Sequence, residues 1–138
     1  MLSEFELPEF ETLEALLWRA PFHQWLDLKL LTADAEQVRI EMPWRDEIIS
    51  APEPPRMHGG ILASLLDLAG LFAVRAAGGQ PMGTAYLHVD YLRTASPGPV
   101  TVVAKPIKLG RRLSTADAEV IDQTGRLLAT GRGGYIGQ

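Results

Sequence analysis

Hydrophobic positions in the first third of the chain change from a helical to an alternating period. Residues 8–19 carry three leucines at helical spacing and precede Pro21, so they are predicted to form an amphipathic helix that acts as a lid or brace. Residues 37–44 alternate between apolar and polar, which predicts a half-buried strand paired with an earlier strand at about residues 25–31. Residues 50–56 contain three prolines and are predicted to be a loop.

The middle of the chain holds its longest apolar segment. Residues 61–77 consist mainly of Leu and Ala, are apolar almost all round and end at Gly78-Gly79, which predicts a helix enclosed by protein. Four strand-like segments follow and are predicted to form an antiparallel meander: 84–93, 100–109, 113–121 and 126–136. One buried helix wrapped by five or six antiparallel strands is an α+β architecture of the hotdog type.

Length and composition narrow the range of functions. The 138 residues fit a single domain, with residues 1–21 as a helical extension. The chain has no Cys and three widely separated His, so we expect no metal site and no cofactor. A net charge of -4 without a long basic run argues against a nucleic-acid partner. The acidic amino end lacks signal-peptide features and no apolar run is long enough to cross a bilayer, which predicts a cytoplasmic protein without a membrane partner.

Asp67 is the one acidic residue of the predicted central helix. Its leucine neighbours disfavour the ionised carboxylate, and residues in such environments are often catalytic. A structural role is the alternative, in which Asp67 faces a hydrated gap or pairs with Arg75, eight residues further on. The residue alone does not decide between the two.

The tripeptide His58-Gly59-Gly60 opens the same helix. Backbone N–H groups in the first turn have no intrahelical acceptor, and the helix dipole favours negative charge there. The segment could therefore bind an oxyanion. Alternatively, the two glycines only permit an unusual backbone at the start of the helix.

Together, His58-Gly59-Gly60 and Asp67, nine residues after His58, resemble the HGG...D signature of the PaaI-type hotdog acyl-CoA thioesterases. Residues 84–95 also resemble the central strand of that family, and the likeness covers about residues 25–136. The resemblance implies that Asp67 attacks a thioester or activates water, and that the Gly59 N–H binds the carbonyl oxygen. It also implies that Thr84 steadies the carboxylate or the water. His58 would contact the carbonyl or fix the loop, and Gly60 would help to bind substrate.

Two positions depart from the family pattern. Many relatives carry an Asn six residues before the His, where this chain has Pro52, and Ser50 is the candidate substitute. The family often has an acidic residue at the position of Tyr86. Both changes affect the pocket and hence substrate preference more than reaction type.

Two further groups of polar residues have candidate roles. The cations Lys108, Arg111 and Arg112 flank a turn and could hold the phosphates of coenzyme A, although a solvated hairpin tip has the same composition. His88 and Asp90 are predicted to share one strand face with Thr84 and Tyr86, as a polar outer face of the sheet or a subunit contact.

Helix geometry adds a requirement for more than one subunit. Gly59 and Asp67 are eight residues apart on one predicted helix, or about 12 Å along its axis. A single carbonyl group cannot contact both, so Gly59 of one subunit is expected to meet Asp67 of another across a two-fold axis. The resemblance implies the same homodimer, often paired into a homotetramer.

Two other functions remain compatible with the sequence. His58 and Asp67 could form the acid–base pair of a hotdog hydratase or dehydratase, although no convincing hydratase motif is present. The domain could also bind acyl-CoA without turnover. Hydrolysis of an acyl-CoA substrate is the function that the residues favour.

Overall fold

A long helix, α3 (Gly59–Ala76), packs against a six-stranded antiparallel sheet. The computed structural model describes residues 7–137 of the chain. Two short helices, α1 (Phe10–Trp18) and α2 (Pro21–Trp25), precede the sheet, and a separate two-stranded ribbon precedes α3. The sheet contains β1 (Lys29–Ala33), β2 (Val38–Met42), β5 (Pro81–Tyr91), β6 (Val100–Lys108), β7 (Leu113–Asp122) and β8 (Leu127–Gly137), and the ribbon contains β3 (Ile49–Pro52) and β4 (Pro55–Met57). The predicted α+β hotdog fold is confirmed, with six strands in its main sheet.

The order of the strands differs from the predicted meander. The sheet runs β1-β2-β6-β7-β8-β5, so among the four strands after α3 only β6, β7 and β8 are consecutive neighbours. Strand β5 pairs with β8 at the far edge of the sheet instead of with β6. Both edges of β6 are already occupied, because β2 pairs on one side and β7 on the other. Strand β5 pairs instead along the free edge of β8.

Helix α3 is the core of the domain. Ten of its eighteen residues are buried, among them Leu62, Leu65 and Leu66. Burying a leucine side chain contributes about 1.5–3 kcal/mol, so these contacts fix the helix against the sheet. By length and composition alone the helix could cross a membrane, but 56% of its eighteen residues are buried inside the fold. It is therefore the core helix of a folded domain.

The predicted end of α3 is confirmed by its hydrogen bonds. Gly78 has a φ of 100°, a left-handed conformation that glycine adopts without steric cost. The Gly78 N–H donates to the Arg75 carbonyl at 3.1 Å, and the Gly79 N–H donates to the Val74 carbonyl at 2.9 Å. The last carbonyl groups of the helix are thus satisfied by the glycine turn.

Two predictions for the first half of the chain are wrong. Residues 50–56 form the β3–β4 ribbon and not a loop, because Pro52 and Pro55 lie opposite each other at its end, where no ladder N–H is needed. The first strand starts at Lys29, while the chain around Trp25 is helical. Pro21 occupies the first turn of α2, where a missing N–H costs nothing, and sequence periodicity did not reveal this helix.

Candidate active site

Asp67 and Thr84 are brought together by the packing of α3 against the edge strand β5. The Thr84 hydroxyl donates to Asp67 Oδ1 at 2.7 Å. Asp67 is half-buried and Thr84 is exposed, so the pair lies at the surface of this subunit. Among the described residues, Asp67 Oδ2 has no hydrogen-bond partner, which leaves one carboxylate oxygen free for a reactant.

A β-bulge at Ala85 explains why Thr84 can reach the helix. Thr84 pairs with Tyr135, whereas Tyr86 pairs with the adjacent Gly134, so Ala85 is the extra residue. The bulge reverses the alternation of side chains along β5. Thr84 faces α3, while the Tyr86 ring lies across Gly134 on the outer face. The prediction that Thr84 and Tyr86 share a strand face is therefore wrong.

Tyr135 also contacts Asp67 and was missed by the sequence analysis. Its hydroxyl donates to the Asp67 carbonyl oxygen at 3.0 Å, across 68 residues of sequence. Burial raises the pKa of Tyr135 well above its usual range, and the nearby Asp67 and Tyr86 act in the same direction. Nothing in the local sequence distinguishes this tyrosine from other core aromatics.

The start of α3 is held by His58. The His58 side chain caps the helix, because its Nδ1 accepts from the Gly60 N–H at 2.9 Å. A neutral His58 then carries its ring proton on Nε2. The cap uses the amide of Gly60, which was predicted to bind substrate. Among the described residues the Gly59 N–H has no acceptor, so this amide is available to a ligand.

Tyr91 lies against Gly59 and is a second residue that the sequence analysis missed. Its hydroxyl donates to the Gly59 carbonyl oxygen at 2.9 Å. A Cβ on Gly59 would lie 3.3 Å from the Tyr91 ring, so the absence of a side chain permits this contact. A cleft of about 310 Å³ opens beside the pair, with Leu62 and Leu92 in its wall.

Gly59 and Asp67 do not meet within one subunit. They are separated by two turns of α3, or about 12 Å along its axis. Strand β5 runs beside the helix in the opposite direction, with Tyr91 at the Gly59 end and Thr84 at the Asp67 end. Both halves of the predicted site are present: Tyr91 of β5 contacts Gly59, and Thr84 of β5 contacts Asp67.

The pairing with Arg75 that was considered as an alternative for Asp67 is not observed. Arg75 donates to the Pro81 carbonyl at 3.5 Å, and its guanidinium lies over the Phe72 ring at 5.1 Å. Within residues 7–137, Arg75 makes no salt bridge with Asp67. Burial lowers the pKa of Arg75, and the nearby Arg19 lowers it further.

Ser50 lies in the β3–β4 ribbon, just before the His58 cap. Its hydroxyl donates to the Arg56 carbonyl oxygen at 3.4 Å, a long bond within the ribbon. The side chain is exposed, and the His58 N–H donates to the Ile48 carbonyl at 2.7 Å, which ties the ribbon to the start of α3. Ser50 remains a predicted substrate contact.

The cationic residues Lys108, Arg111 and Arg112 are exposed around the β6–β7 turn. The Arg112 carbonyl accepts from the Gly137 N–H at 2.9 Å, and Gly137 pairs with Pro81 at the start of β5. This turn is thus at the end of the sheet that carries Thr84 and Asp67. Their role in holding coenzyme A stays a prediction.

The other two histidines, His23 and His88, lie away from Asp67 and Gly59. His23 Nδ1 lies 2.8 Å from the Leu17 carbonyl oxygen, which joins α2 to α1. His88 Nε2 lies 3.1 Å from Asp90 Oδ1 on the outer face of the sheet, away from α3. His88 and Asp90 thus lie on the predicted polar outer face.

A carboxylate on the core helix, with one oxygen held by a hydroxyl and the other free, is suited to activating water or attacking a carbonyl carbon. Both kinds of step occur in the hydrolysis of an ester or thioester. A family model described as the thioesterase superfamily matches residues 55–129, which include Gly59, Asp67 and Thr84. The chain belongs to the thioesterase superfamily.

Individual relatives agree with this assignment. The chain is similar to a predicted esterase of Halobacterium salinarum, with 30% identity over 122 residues and 80% of each chain covered. A second predicted esterase, from Saccharolobus solfataricus, is 35% identical over 81 residues, which cover 58% of this chain and about half of that protein, 54%.

Solved structures show the same fold. A thioesterase superfamily protein of known structure is 41% identical, with a TM-score of 0.89 over 93% of this chain and 97% of that one. The E. coli PaaI protein from the phenylacetic acid degradation operon shares the fold, with 22% identity and a TM-score of 0.81. Its alignment covers 90% of this chain and 88% of PaaI.

Proposed function

We propose that the protein hydrolyses acyl-CoA thioesters in the cytoplasm to a carboxylic acid and free coenzyme A. The observation that carries this proposal is the 2.7 Å hydrogen bond between Thr84 Oγ1 and Asp67 Oδ1 on the core helix of a thioesterase superfamily fold. The bond fixes the carboxylate and leaves its second oxygen unengaged. The class of relatives supports ester or thioester cleavage as the reaction.

Asp67 supplies the reacting carboxylate. Either its free oxygen attacks the thioester carbonyl carbon, or it takes a proton from a water molecule that attacks the same carbon. In both routes the bond between carbon and sulfur breaks, and the sulfur of coenzyme A leaves and gains a proton. In the first route the anhydride between Asp67 and the acyl group is then cleaved by water, which regenerates the carboxylate. Both routes consume one water molecule per thioester.

Gly59 stabilises the negative charge that develops on the carbonyl oxygen. Its N–H is at the positive end of the α3 dipole, and His58 and Tyr91 hold the surrounding backbone in place. A preorganised donor of this kind is worth about 3 kcal/mol in acyl-transfer enzymes. His58 acts by capping the helix, so it positions the donor without touching the reacting atoms.

A homodimer completes each site with Gly59 from one subunit and Asp67 from the other. Strand β5 has eleven residues at the sheet edge, and most of them are exposed or half-buried. Long sheet edges are seldom left free, and pairing β5 with β5 of a second copy would extend the sheet. A partly exposed stripe of α3 beside that edge would face the second copy, and it includes Gly60, Ser64, Asp67 and Leu71. We propose further that such dimers pair into tetramers.

The coenzyme A part of the substrate is assigned to the basic β6–β7 turn. Lys108, Arg111 and Arg112 offer three exposed cations at the end of the sheet that carries Asp67. Phosphate groups bind such clusters through charge-assisted hydrogen bonds.

The first experiment is release of free thiol from a panel of aromatic, short-chain and long-chain acyl-CoAs. We expect at least one class to be hydrolysed, and Asp67→Ala to lose turnover while its fold and oligomeric state are kept. If no acyl-CoA of the panel releases thiol but acyl-CoA binds tightly, the result would favour a non-catalytic binding module. Formation of a hydrated acyl-CoA in place of free thiol would favour a hydratase.

A further inference from the structure

Tyr135 occupies a slot that two glycines leave open. The side chain is 1% exposed, between β8 and helix α3. A Cβ on Gly70 would lie 2.1 Å from the tyrosine hydroxyl oxygen, and a Cβ on Gly133 would lie 2.3 Å from it. Glycine on both the helix and the strand therefore creates the space that the hydroxyl fills.

The hydroxyl makes one specific contact from this slot. It donates to the carbonyl oxygen of Asp67 at 3.0 Å. Thr84, the register partner of Tyr135 on the neighbouring strand, donates to the carboxylate of Asp67 at 2.7 Å. A pair of residues facing each other across two strands thus holds the backbone and the side chain of one aspartate.

Core packing alone does not explain the hydroxyl. Phenylalanine would fill the same volume without a polar group, and burying a hydroxyl is costly unless it finds a partner. The Asp67 carbonyl already belongs to the hydrogen-bond ladder of α3, so it does not need a second donor to be satisfied. Because burial raises the pKa of Tyr135 well above its usual range, the phenol stays protonated and remains a donor.

We propose that Tyr135 is a positioning residue that fixes Asp67 for reaction through its backbone, while Thr84 acts through its side chain. The inference rests on the proposed hydrolysis of acyl-CoA. The Asp67 carboxylate is then held in position by two strand residues, Tyr135 and Thr84, and not by Thr84 alone. Loss of either donor should let Asp67 move relative to the reacting carbonyl group.

Tyr135→Phe tests this directly, because it removes the hydroxyl and keeps the ring. We expect kcat for the preferred acyl-CoA to fall about tenfold, since about one hydrogen bond is lost, while KM changes by less than about twofold. Val120→Ala is the matched control, because Val120 is also fully buried on a strand of the same sheet. Below the unfolding temperatures of both variants, Val120→Ala should keep the wild-type kcat.

A second comparison separates positioning from general loss of packing. In a Thr84→Val background, Tyr135→Phe should cost less than about threefold in kcat, because the carboxylate is already released. A variant that only weakens packing would lower kcat by the same factor in both backgrounds. Equal factors, or a wild-type kcat for Tyr135→Phe, would overturn the inference.

A structural readout does not depend on turnover. In a crystal structure of Tyr135→Phe, we expect the bond between Thr84 and Asp67 to be longer than 3.5 Å or absent. An unchanged bond would overturn the positioning role even if no acyl-CoA is hydrolysed. Failure of the wild-type protein on every acyl-CoA would count against the proposed function alone.

Discussion

Thr84 and Asp67 are seventeen residues apart in the chain and joined by a hydrogen bond of 2.7 Å between the threonine hydroxyl and the aspartate carboxylate. The contact exists because a bulge at Ala85 lets Thr84 face the helix, while Tyr86 after the bulge lies on the outer face of the sheet. A short irregularity in an edge strand therefore brings Thr84 into contact with Asp67.

Removal of the Thr84 hydroxyl should lower activity. Thr84→Val keeps the shape of the side chain but cannot donate, so we expect kcat/KM for acyl-CoA to fall about tenfold to a hundredfold. Thr84→Ser keeps the donor and should retain most of the activity. The check is thiol release by both variants, and equal rates for Val and Ser would show that the hydroxyl has no part in turnover.

Gly70→Ala should destabilise the protein even though alanine favours helices. Alanine gains about 1 kcal/mol of helix propensity over glycine, but its Cβ would lie 2.1 Å from the Tyr135 hydroxyl oxygen. Relieving that overlap costs about 1–3 kcal/mol in a packed core, so the net free energy of unfolding should fall by about 1 kcal/mol.

Denaturant unfolding measures the Gly70→Ala effect, with Gly83→Ala as the matched control. A Cβ on Gly83 would meet no atom within 4 Å, so that variant should change stability little. The loss in Gly70→Ala should shrink when Tyr135→Phe is also present, because the nearest atom is then gone. A Gly70→Ala variant more stable than the wild type would contradict the tight fit of Tyr135.

Acid should weaken the ion pair between Asp117 and Arg132. The Arg132 guanidinium donates to both Asp117 oxygens, at 2.6 and 2.8 Å, and this hydrogen bonding lowers the pKa of Asp117 below its usual value. A lowered pKa in the folded state means that the pair stabilises the fold at neutral pH. The contribution is lost as the pH falls below about 4, toward the folded-state pKa.

Asp117→Asn measures that contribution. At pH 7 its unfolding midpoint should be lower than that of the wild type by at most a few degrees, because the side chains are 44% and 55% exposed and solvent screens the pair. The difference in unfolding midpoint between Asp117→Asn and the wild type should disappear below about pH 4, where Asp117 is protonated. Glu119→Gln, on the same strand, is the control, and an equal pH dependence of both variants would contradict the assignment.

The basic β6–β7 turn should affect binding of coenzyme A esters selectively. Substituting Lys108, Arg111 and Arg112 by Ala should raise KM for the preferred acyl-CoA about tenfold or more, since several phosphate contacts are lost. An acyl thioester without phosphates should show no change. Arg126→Ala removes a cation from the turn at the opposite end of the sheet and should leave both KM values unaltered.

Periodicity was sufficient to predict the main elements of this fold. The helix predicted at residues 61–77 is observed as Gly59–Ala76, because its apolar side chains and its terminal glycines are local signals. The positions of Gly59, Asp67 and Thr84 were assigned by resemblance to a family. The structure adds that Thr84 and Asp67 are in contact, while their roles, the dimer and the acyl-CoA substrate stay predictions.

Features that depend on distant contacts could not be predicted. The order of strands follows from which sheet edges remain free, and no local pattern encodes that competition. The bulge at Ala85 changes the strand faces without an obvious sequence signal. Tyr135 and Tyr91 lie 68 and 32 residues from the carbonyl groups to which they donate, so only the folded chain reveals them.

Two inactive variants allow the shared site to be tested. Asp67→Asn removes the reacting carboxylate. Gly59→Pro removes the amide donor, and proline suits the first position of a helix. Gly59→Ala is its matched control, because it keeps the N–H and adds the same Cβ, 3.3 Å from the Tyr91 ring. We expect Gly59→Pro to lower kcat about a hundredfold or more relative to Gly59→Ala.

The most direct measurement is thiol release by mixed dimers of Asp67→Asn and Gly59→Pro, isolated by two different affinity tags. If each site combines Gly59 of one subunit with Asp67 of the other, one of the two sites in a mixed dimer is intact. We then expect about half the wild-type rate per dimer, although both parent proteins are inactive. Mixed dimers as inactive as their parents would contradict a site shared between subunits.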